Sequence, residues 1–244
     1  MIRRSVLVAL VSSGLLFAQS AQQPKLTVHT QVREDIFAGY MADDMDRFDI
    51  GVKKLDAMLR ENLENVHALS WAGSAQLFRA IKAREAGNPS EFRTLYASGK
   101  DKMERALALA PKDGGVLAVQ GASLIMFGDR LPEPERTEAY KKGRACLKEL
   151  ASMQQPMLDR FPVHLRGELL AGLAQSAQRL GDWEDARVYL NQIVTGMAGT
   201  PYERKARKWL DQPASAEKTA LVCQTCHEAG RLENVLRAQR PQQP

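Results

Sequence analysis

Apolar residues recur at helical spacing over most of this chain, and that periodicity restricts its fold more than any other feature of the sequence. Between Phe48 and Leu210 almost no segment alternates apolar and polar residues as a strand would. Residues 47–60 are typical, because their apolar members fall on one side of a helix: Phe48, Val52, Leu55, Met58 and Leu59. Helices joined by short loops, with no strand between them, predict an all-α fold.

Glycine and proline residues divide this region into about eight antiparallel helices. Pro111, Gly128 and Gly181 each follow a periodic stretch, and they are expected to end the helix before them. Asp182 comes next and is placed to cap the following helix. The periodicity and these breaks predict helices over residues 47–60, 66–86, 91–110, 116–127, 135–153, 163–180, 183–194 and 201–210.

One helix pair resembles a tetratricopeptide repeat (TPR). Over residues 170–194, Leu173 and Ala174 fill the family's large and small positions in the first helix, and Gly181 stands at its turn. Ala186 fills the small position in the second helix, where it faces the first. Small residues matter there because they let two helix axes approach closely.

Three further segments are similar to parts of the same repeat. Residues 103–111 resemble the end of a repeat with its closing proline, Gly121 stands in the small position of the next, and Ala72 and Gly73 form a small pair near another junction. The resemblance implies three to four irregular repeats in a short right-handed solenoid over residues 47–210, with a plain helical bundle as the alternative. It also implies a concave groove that binds a peptide or a partner protein.

The first twenty residues have the three parts of a secretory signal peptide. Arg3 and Arg4 precede an apolar stretch over residues 6–17, and small residues follow, which places the expected cleavage between Ser20 and Ala21. Twelve helical residues span about 18 Å, too short for the ~30 Å hydrocarbon core of a bilayer. We therefore expect an exported, periplasmic or secreted protein without a membrane span, and residues 21–46 form its lead-in segment.

The charge balance gives no reason to expect a nucleic-acid partner. The formal net charge of the whole chain is +5, and it falls to +3 once Arg3 and Arg4 are removed with the signal peptide. A nearly balanced surface lacks the basic footprint of a nucleic-acid-binding domain.

One motif whose side chains could hold a cofactor or a metal lies near the C-terminus, where Cys223, Cys226 and His227 form the pattern Cys-x-x-Cys-His. This pattern is the attachment signature of c-type haem. Two thiols at this spacing can reach the two vinyl groups of one porphyrin edge, and the adjacent imidazole can bind the iron as proximal ligand. Export strengthens the interpretation, because c-type haem is attached after the chain has left the cytoplasm. The sequence thus predicts one covalent haem c.

Three other interpretations of the motif stay open. The cysteine pair could form a local disulfide in an oxidising compartment, it could be part of a zinc site with His227, or the match could be accidental. Cys146, the remaining cysteine, lies between Ala145 and Leu147 in a predicted helix, and we expect it to be a small buried residue.

No methionine or histidine follows His227, so a second axial ligand would have to come from upstream, from a partner or from water. The upstream candidates are His29, His67, His164, Met153, Met157 and Met197. The segment after residue 214 also has few apolar residues and no aromatic one. The haem is therefore expected either to dock against the helical body or to be largely exposed.

These patterns together predict an all-α, TPR-like exported protein with a linker over residues 211–216 and a haem-attachment segment over residues 217–244. We expect it to function in electron transfer or in docking to a periplasmic redox partner. The sequence has no zinc-protease, phosphate-loop or serine-hydrolase motif, so we do not expect an enzyme. The alternative is a cofactor-free interaction scaffold whose Cys223–Cys226 pair is a disulfide or a metal site.

Overall fold

The computed structural model describes residues 27–222, and within that range the chain is helical with no strand. The prediction of an all-α fold is thus confirmed. The helices are α1 (Val28–Ala42), α2 (Met45–Glu61), α3 (Val66–Glu85), α4 (Pro89–Leu109), α5 (Gly114–Gly128), α6 (Glu135–Gln154), α7 (Val163–Arg179), α8 (Trp183–Gly196), α9 (Pro201–Asp211) and the single turn α10 (Pro213–Ala216). A 3-10 helix (Gln155–Arg160) joins α6 to α7.

The turn between α7 and α8 follows the local chemistry that the sequence predicted. Gly181 has a φ of +79°, a left-handed conformation that a residue with a Cβ adopts at a cost. The carboxylate of Asp182 then accepts a hydrogen bond of 3.1 Å from the backbone N–H of Asp185, which satisfies one of the free donors of the first turn of α8.

The segment that was expected to be a lead-in contains a full helix. In α1, Val32 and Ile36 are completely buried, and the hydroxyl of Tyr40 lies 2.6 Å from that of Ser74 in α3. Ser74 in turn lies 2.6 Å from Ser123 in α5, so a buried chain of hydroxyls crosses three helices. With α1 and the short α10, the described residues hold ten α-helices where the sequence predicted about eight.

Successive helices pack in pairs, α1 with α2, α3 with α4, α5 with α6 and α7 with α8. Loops of two to eight residues join the members of each pair or lead to the next, so neighbouring helices run antiparallel. The odd-numbered helices also contact one another in order, α1 with α3, α3 with α5 and α5 with α7, and they form one continuous row.

Glycines set the closest approach within these pairs. A Cβ added to Gly73 in α3 would lie 2.8 Å from the carbonyl oxygen of Gly99 in α4. Gly121 allows an equally close approach between α5 and α6, because a Cβ on it would clash with the side chain of Leu147. Gly73 and Gly121 thus occupy close-packed positions, as the sequence predicted for them.

The interior has two main apolar clusters. The first joins α1–α6 and is aromatic, with Tyr40, Phe48, Phe78 and Phe127 in contact at centroid distances of 4.9–6.0 Å. The second joins α5–α10 and includes the last two residues that the structure describes, Leu221 and Val222. No helix between residues 27 and 222 combines the length and the apolar character that crossing a bilayer requires.

Candidate functional site

The predicted site residues Cys223, Cys226 and His227 lie outside the described residues, and so does the predicted signal peptide over residues 1–20. The structure does describe the chain up to Val222, directly before the motif. The surroundings of the segment that leads into the motif, residues 213–222, can therefore be examined in full, and we refer to it as the docked segment.

The end of the docked segment is fixed to the middle of α7. Leu221 and Val222 are 1% and 2% exposed, and their backbone N–H groups donate hydrogen bonds of 2.7 and 3.2 Å to Oε1 of Gln175. Gln175 is itself 1% exposed, so both backbone donors are satisfied inside the protein. Val222 also lies beside Gly172, where a Cβ would be in ordinary van der Waals contact with its Cγ1 at 3.6 Å.

Arg179, one turn further along α7, holds the beginning of the same segment. Its Nη1 donates to the carbonyl oxygen of Ala216 at 2.6 Å, and its Nη2 donates to that of Thr219 at 2.9 Å. The guanidinium also forms a two-bond pair with the carboxylate of Asp129, at 2.8 and 2.9 Å. A planar guanidinium suits this task, because it can bind a carboxylate and two carbonyls at once.

Helix α9 contacts the docked segment from the other side. Nε1 of Trp209 donates to the hydroxyl of Thr219 at 2.8 Å, and Nζ of Lys205 lies 3.5 Å from the carbonyl oxygen of Ala220. Residues 211–216, which were expected to form a linker, contain the last residue of α9 and all of α10, and Ala216 is completely buried. The segment before the motif is thus part of the folded body.

The pKa of Asp129 reflects this anchoring. Burial would raise the pKa of its carboxyl group, but hydrogen bonds from Arg179 and from the Tyr140 hydroxyl, the latter at 2.7 Å, outweigh burial and lower it below its ordinary value of 3.8. A carboxylate with a depressed pKa stabilises the fold fully above its unfolded pKa. That contribution is lost as the pH falls through the lower pKa of the folded state.

Replacing Asp129 with asparagine is therefore expected to lower the free energy of unfolding at pH 7 by about 1–2 kcal/mol, allowing for the partial exposure of this carboxylate. The difference between wild type and D129N should stay constant from pH 7 to about pH 5 and then shrink progressively as the pH falls through 3.8 towards the lower pKa of the folded state. Urea unfolding of both proteins across this range measures it. A difference that is the same at pH 3 and pH 7 would contradict the assigned role.

The candidate second axial ligands are dispersed over the molecule. Nε2 of His67 lies 3.4 Å from Asp113, the His29 ring packs 5.5 Å from that of Trp71, and Nδ1 of His164 lies 3.3 Å from the Tyr202 hydroxyl. Met197 is buried, whereas Met153 and Met157 are 43% and 49% exposed. Among residues 27–222, no three metal-ligating side chains come together.

Cys146 is buried in α6, as predicted, with 5% of its surface exposed. Burial raises the pKa of its thiol to about 11, so it stays protonated at neutral pH. Since the thiolate is the form that binds metals and attacks disulfides, Cys146 is a poor partner for the C-terminal cysteines.

A small cavity lies elsewhere, between α3, α4, α5 and α6. Its walls include the apolar side chains of Leu77, Met103 and Leu124, and its volume is about 40 Å³. That volume holds about two or three water molecules, which is too small for an organic ligand.

Sequence reasoning did not single out Gln175, Arg179 or Trp209. Gln175 did carry a recognisable pattern, because it is a polar residue inside the otherwise apolar and small run over residues 169–177. Comparison with protein-family models, with curated proteins and with solved structures finds no match for this chain. Its function is therefore inferred from its own residues.

Proposed function

We propose that this chain is an exported c-type haem protein that transfers electrons, or docks to a redox partner, by means of one covalent haem c. The observation that carries the proposal is the Cys-x-x-Cys-His motif at 223–227, which begins directly after a segment that is fixed to the helical body. Cys223 and Cys226 are the thioether anchors and His227 is the proximal iron ligand.

The residues of the motif suit this group chemically. Each thiol adds across one vinyl group, so that sulfur bonds to one vinyl carbon and the thiol hydrogen goes to the other, and no oxidant or reductant is consumed. When bound, the haem supplies a one-electron couple at its iron. The docked segment contributes rigidity, because Gln175 and Arg179 hold the chain up to Val222, directly before the first anchor.

The arrangement of the helices supports a TPR-like scaffold as the second part of the proposal. Pairs of antiparallel helices with one continuous row of first helices, α1, α3, α5 and α7, are the packing expected of a short helical-repeat solenoid. Gly73 and Gly121 lie where the repeat needs small residues. In this proposal the scaffold positions the haem against a periplasmic protein, and the chain catalyses no reaction.

The experiment is to make the full-length protein in cells that contain the haem-attachment machinery, and to record its spectrum and mass. The proposal expects an absorption band of haem that survives acid–acetone extraction, and the added mass of one haem on a chain that has lost residues 1–20. A colourless protein at polypeptide mass contradicts it. If that protein also has Cys223 and Cys226 oxidised to a disulfide, the haem proposal is replaced by the alternative of a cofactor-free interaction scaffold.

A further inference from the structure

Two helices present rows of polar side chains to the docked segment. Gln175 and Arg179 lie one turn apart on α7, and Lys205 and Trp209 lie one turn apart on α9. The first three contact main-chain groups of the segment, and Trp209 donates to the Thr219 hydroxyl. The guanidinium of Arg179 also lies 5.8 Å from the centre of the Trp209 ring, which joins the two rows at one end.

The two side chains on α7 are held in position by partners of their own. Asp129 binds Arg179 through two hydrogen bonds and accepts a third from the Tyr140 hydroxyl. Burial raises the pKa of Tyr140, and the nearby amide of Gln175 partly opposes that rise. Side chains that are fixed in this way lose little freedom when they bind a segment, and such support is typical of a recognition site.

Most of the contacts recognise the main chain of the docked segment rather than its side chains. They engage the carbonyl oxygens of Ala216, Thr219 and Ala220 and the N–H groups of Leu221 and Val222. Any non-helical peptide carries these groups. Main-chain hydrogen bonds of this kind supply affinity for a peptide, whereas pockets for particular side chains supply specificity.

Four side chains of the docked segment meet specific surroundings. Ala216, Leu221 and Val222 are buried. The Thr219 hydroxyl accepts from Nε1 of Trp209 and donates to the carbonyl oxygen of Ser215 at 2.8 Å. Residues 217 and 218 are exposed. The groove therefore selects a small residue, a hydroxyl residue three positions later, and two aliphatic residues two and three positions after the hydroxyl.

The docked segment is short and partly exposed. Helix α10 is a single turn without a side-chain cap, and four of the ten residues of the segment are exposed, namely Pro213, Ala214, Glu217 and Lys218. Its large buried side chains are the two at its end, Leu221 and Val222. A unit of this size opens at a lower free energy than the whole fold, so the groove can be vacated while α7 and α9 stay packed.

We propose that the groove between α7 and α9 is a binding site for a peptide segment of a partner protein, and that residues 213–222 are its internal occupant. The partner's segment is non-helical, carries the pattern of small, hydroxyl and aliphatic residues described above, and replaces the docked segment on Gln175 and Arg179. The docked segment is tethered and competes at an effective concentration in about the millimolar range, so it sets the affinity that a partner needs. This site goes beyond the proposed haem function and does not depend on it.

The test uses the full-length chain and a fluorescein-labelled synthetic peptide with the sequence of residues 213–222, whose binding is followed by fluorescence anisotropy. Leu221→Asp and Val222→Asp together place two carboxylates in the core and should empty the groove of its own segment. This double variant should bind the peptide at least about tenfold more tightly than wild type, whose groove is occupied. Adding Gln175→Ala should remove the binding.

The matched control is Glu217→Ser with Lys218→Ser, which changes two exposed residues of the same segment. It leaves the buried contacts in place and should bind the peptide as weakly as wild type. A peptide in which both aliphatic residues are aspartate should bind none of the proteins. Circular dichroism shows whether each variant is folded.

Equal affinity of wild type and the Leu221→Asp, Val222→Asp variant overturns the proposal, and so does binding that persists with Gln175→Ala. If a variant does not fold, hydrogen exchange of wild type decides. Excess peptide should then speed the exchange of the backbone amides of Leu221 and Val222, which lose their hydrogen bonds to Gln175, and unchanged exchange overturns the proposal. All variants keep residues 223–227, so the mass of each preparation reports on the haem separately.

Discussion

Serine at position 226 is expected to leave the protein without stably bound haem. Cys226 is one of the two proposed thioether anchors, and a hydroxyl does not add to a vinyl group as a thiol does. The purified Cys226→Ser protein should lose essentially all of the colour that resists acid–acetone extraction, and its mass should be that of the processed polypeptide. Absorption spectroscopy and intact-mass measurement of wild type and variant, produced side by side, give the result.

Cys146→Ala is the matched control, because it also removes one thiol. Cys146 is buried in α6 and its thiol stays protonated, so this variant should keep one haem at wild-type yield. The side chain of alanine is close in volume to that of cysteine, and it leaves no polar group in the core. If Cys226→Ser keeps its colour after extraction while Cys146→Ala loses it, the assignment of the anchors is wrong.

The same preparations separate the interpretations that the sequence left open. A disulfide between Cys223 and Cys226 leaves wild type colourless and two hydrogens lighter than the reduced chain, and in the unfolded protein only Cys146 then reacts with an alkylating agent. A zinc site leaves it colourless with one equivalent of metal, which Cys226→Ser then loses. Either result replaces the haem proposal, whereas the helical body is the same in all three cases.

The helices of the central region could be predicted because their determinants are local. Apolar spacing, the left-handed Gly181 and the cap at Asp182 each act within one turn of the chain, and the structure has them as expected. Helix α1 was missed because its stripe of Val32, Ile36 and Tyr40 is interrupted by polar residues. Its helical state depends on packing against α2 and α3, which a local pattern does not contain.

The docked segment could not be predicted for the same reason. Its partners Gln175 and Arg179 are separated from it by 37–47 residues, and nothing in the local sequence 211–222 indicates burial. Leu221 and Val222 stood out only as two of the few apolar residues after residue 214. Their place in the core follows from the groove between α7 and α9, and that groove exists only after both helices have packed.

Alanine in place of Gly99 in α4 is expected to destabilise the fold strongly, because the added methyl group would meet backbone atoms of α3. A Cβ at Gly99 would lie 2.9 Å from the carbonyl oxygen of Gly73 and 3.1 Å from the backbone nitrogen of Leu77. Backbone atoms cannot turn away as a side chain can, so α3 and α4 must move apart. We expect the free energy of unfolding to fall by about 2–3 kcal/mol, more than the gain in helix propensity offsets.

Gly196→Ala is the control for that substitution, because it adds the same methyl group at the end of α8 where no atom lies within 4 Å. It should leave the stability unchanged or raise it by up to about 1 kcal/mol, since alanine loses less backbone entropy on folding. Thermal unfolding measures both, with a melting temperature roughly 5–10 °C lower for Gly99→Ala. Equal melting temperatures for the two variants would mean that α3 and α4 do not approach as closely as Gly73 and Gly99 allow.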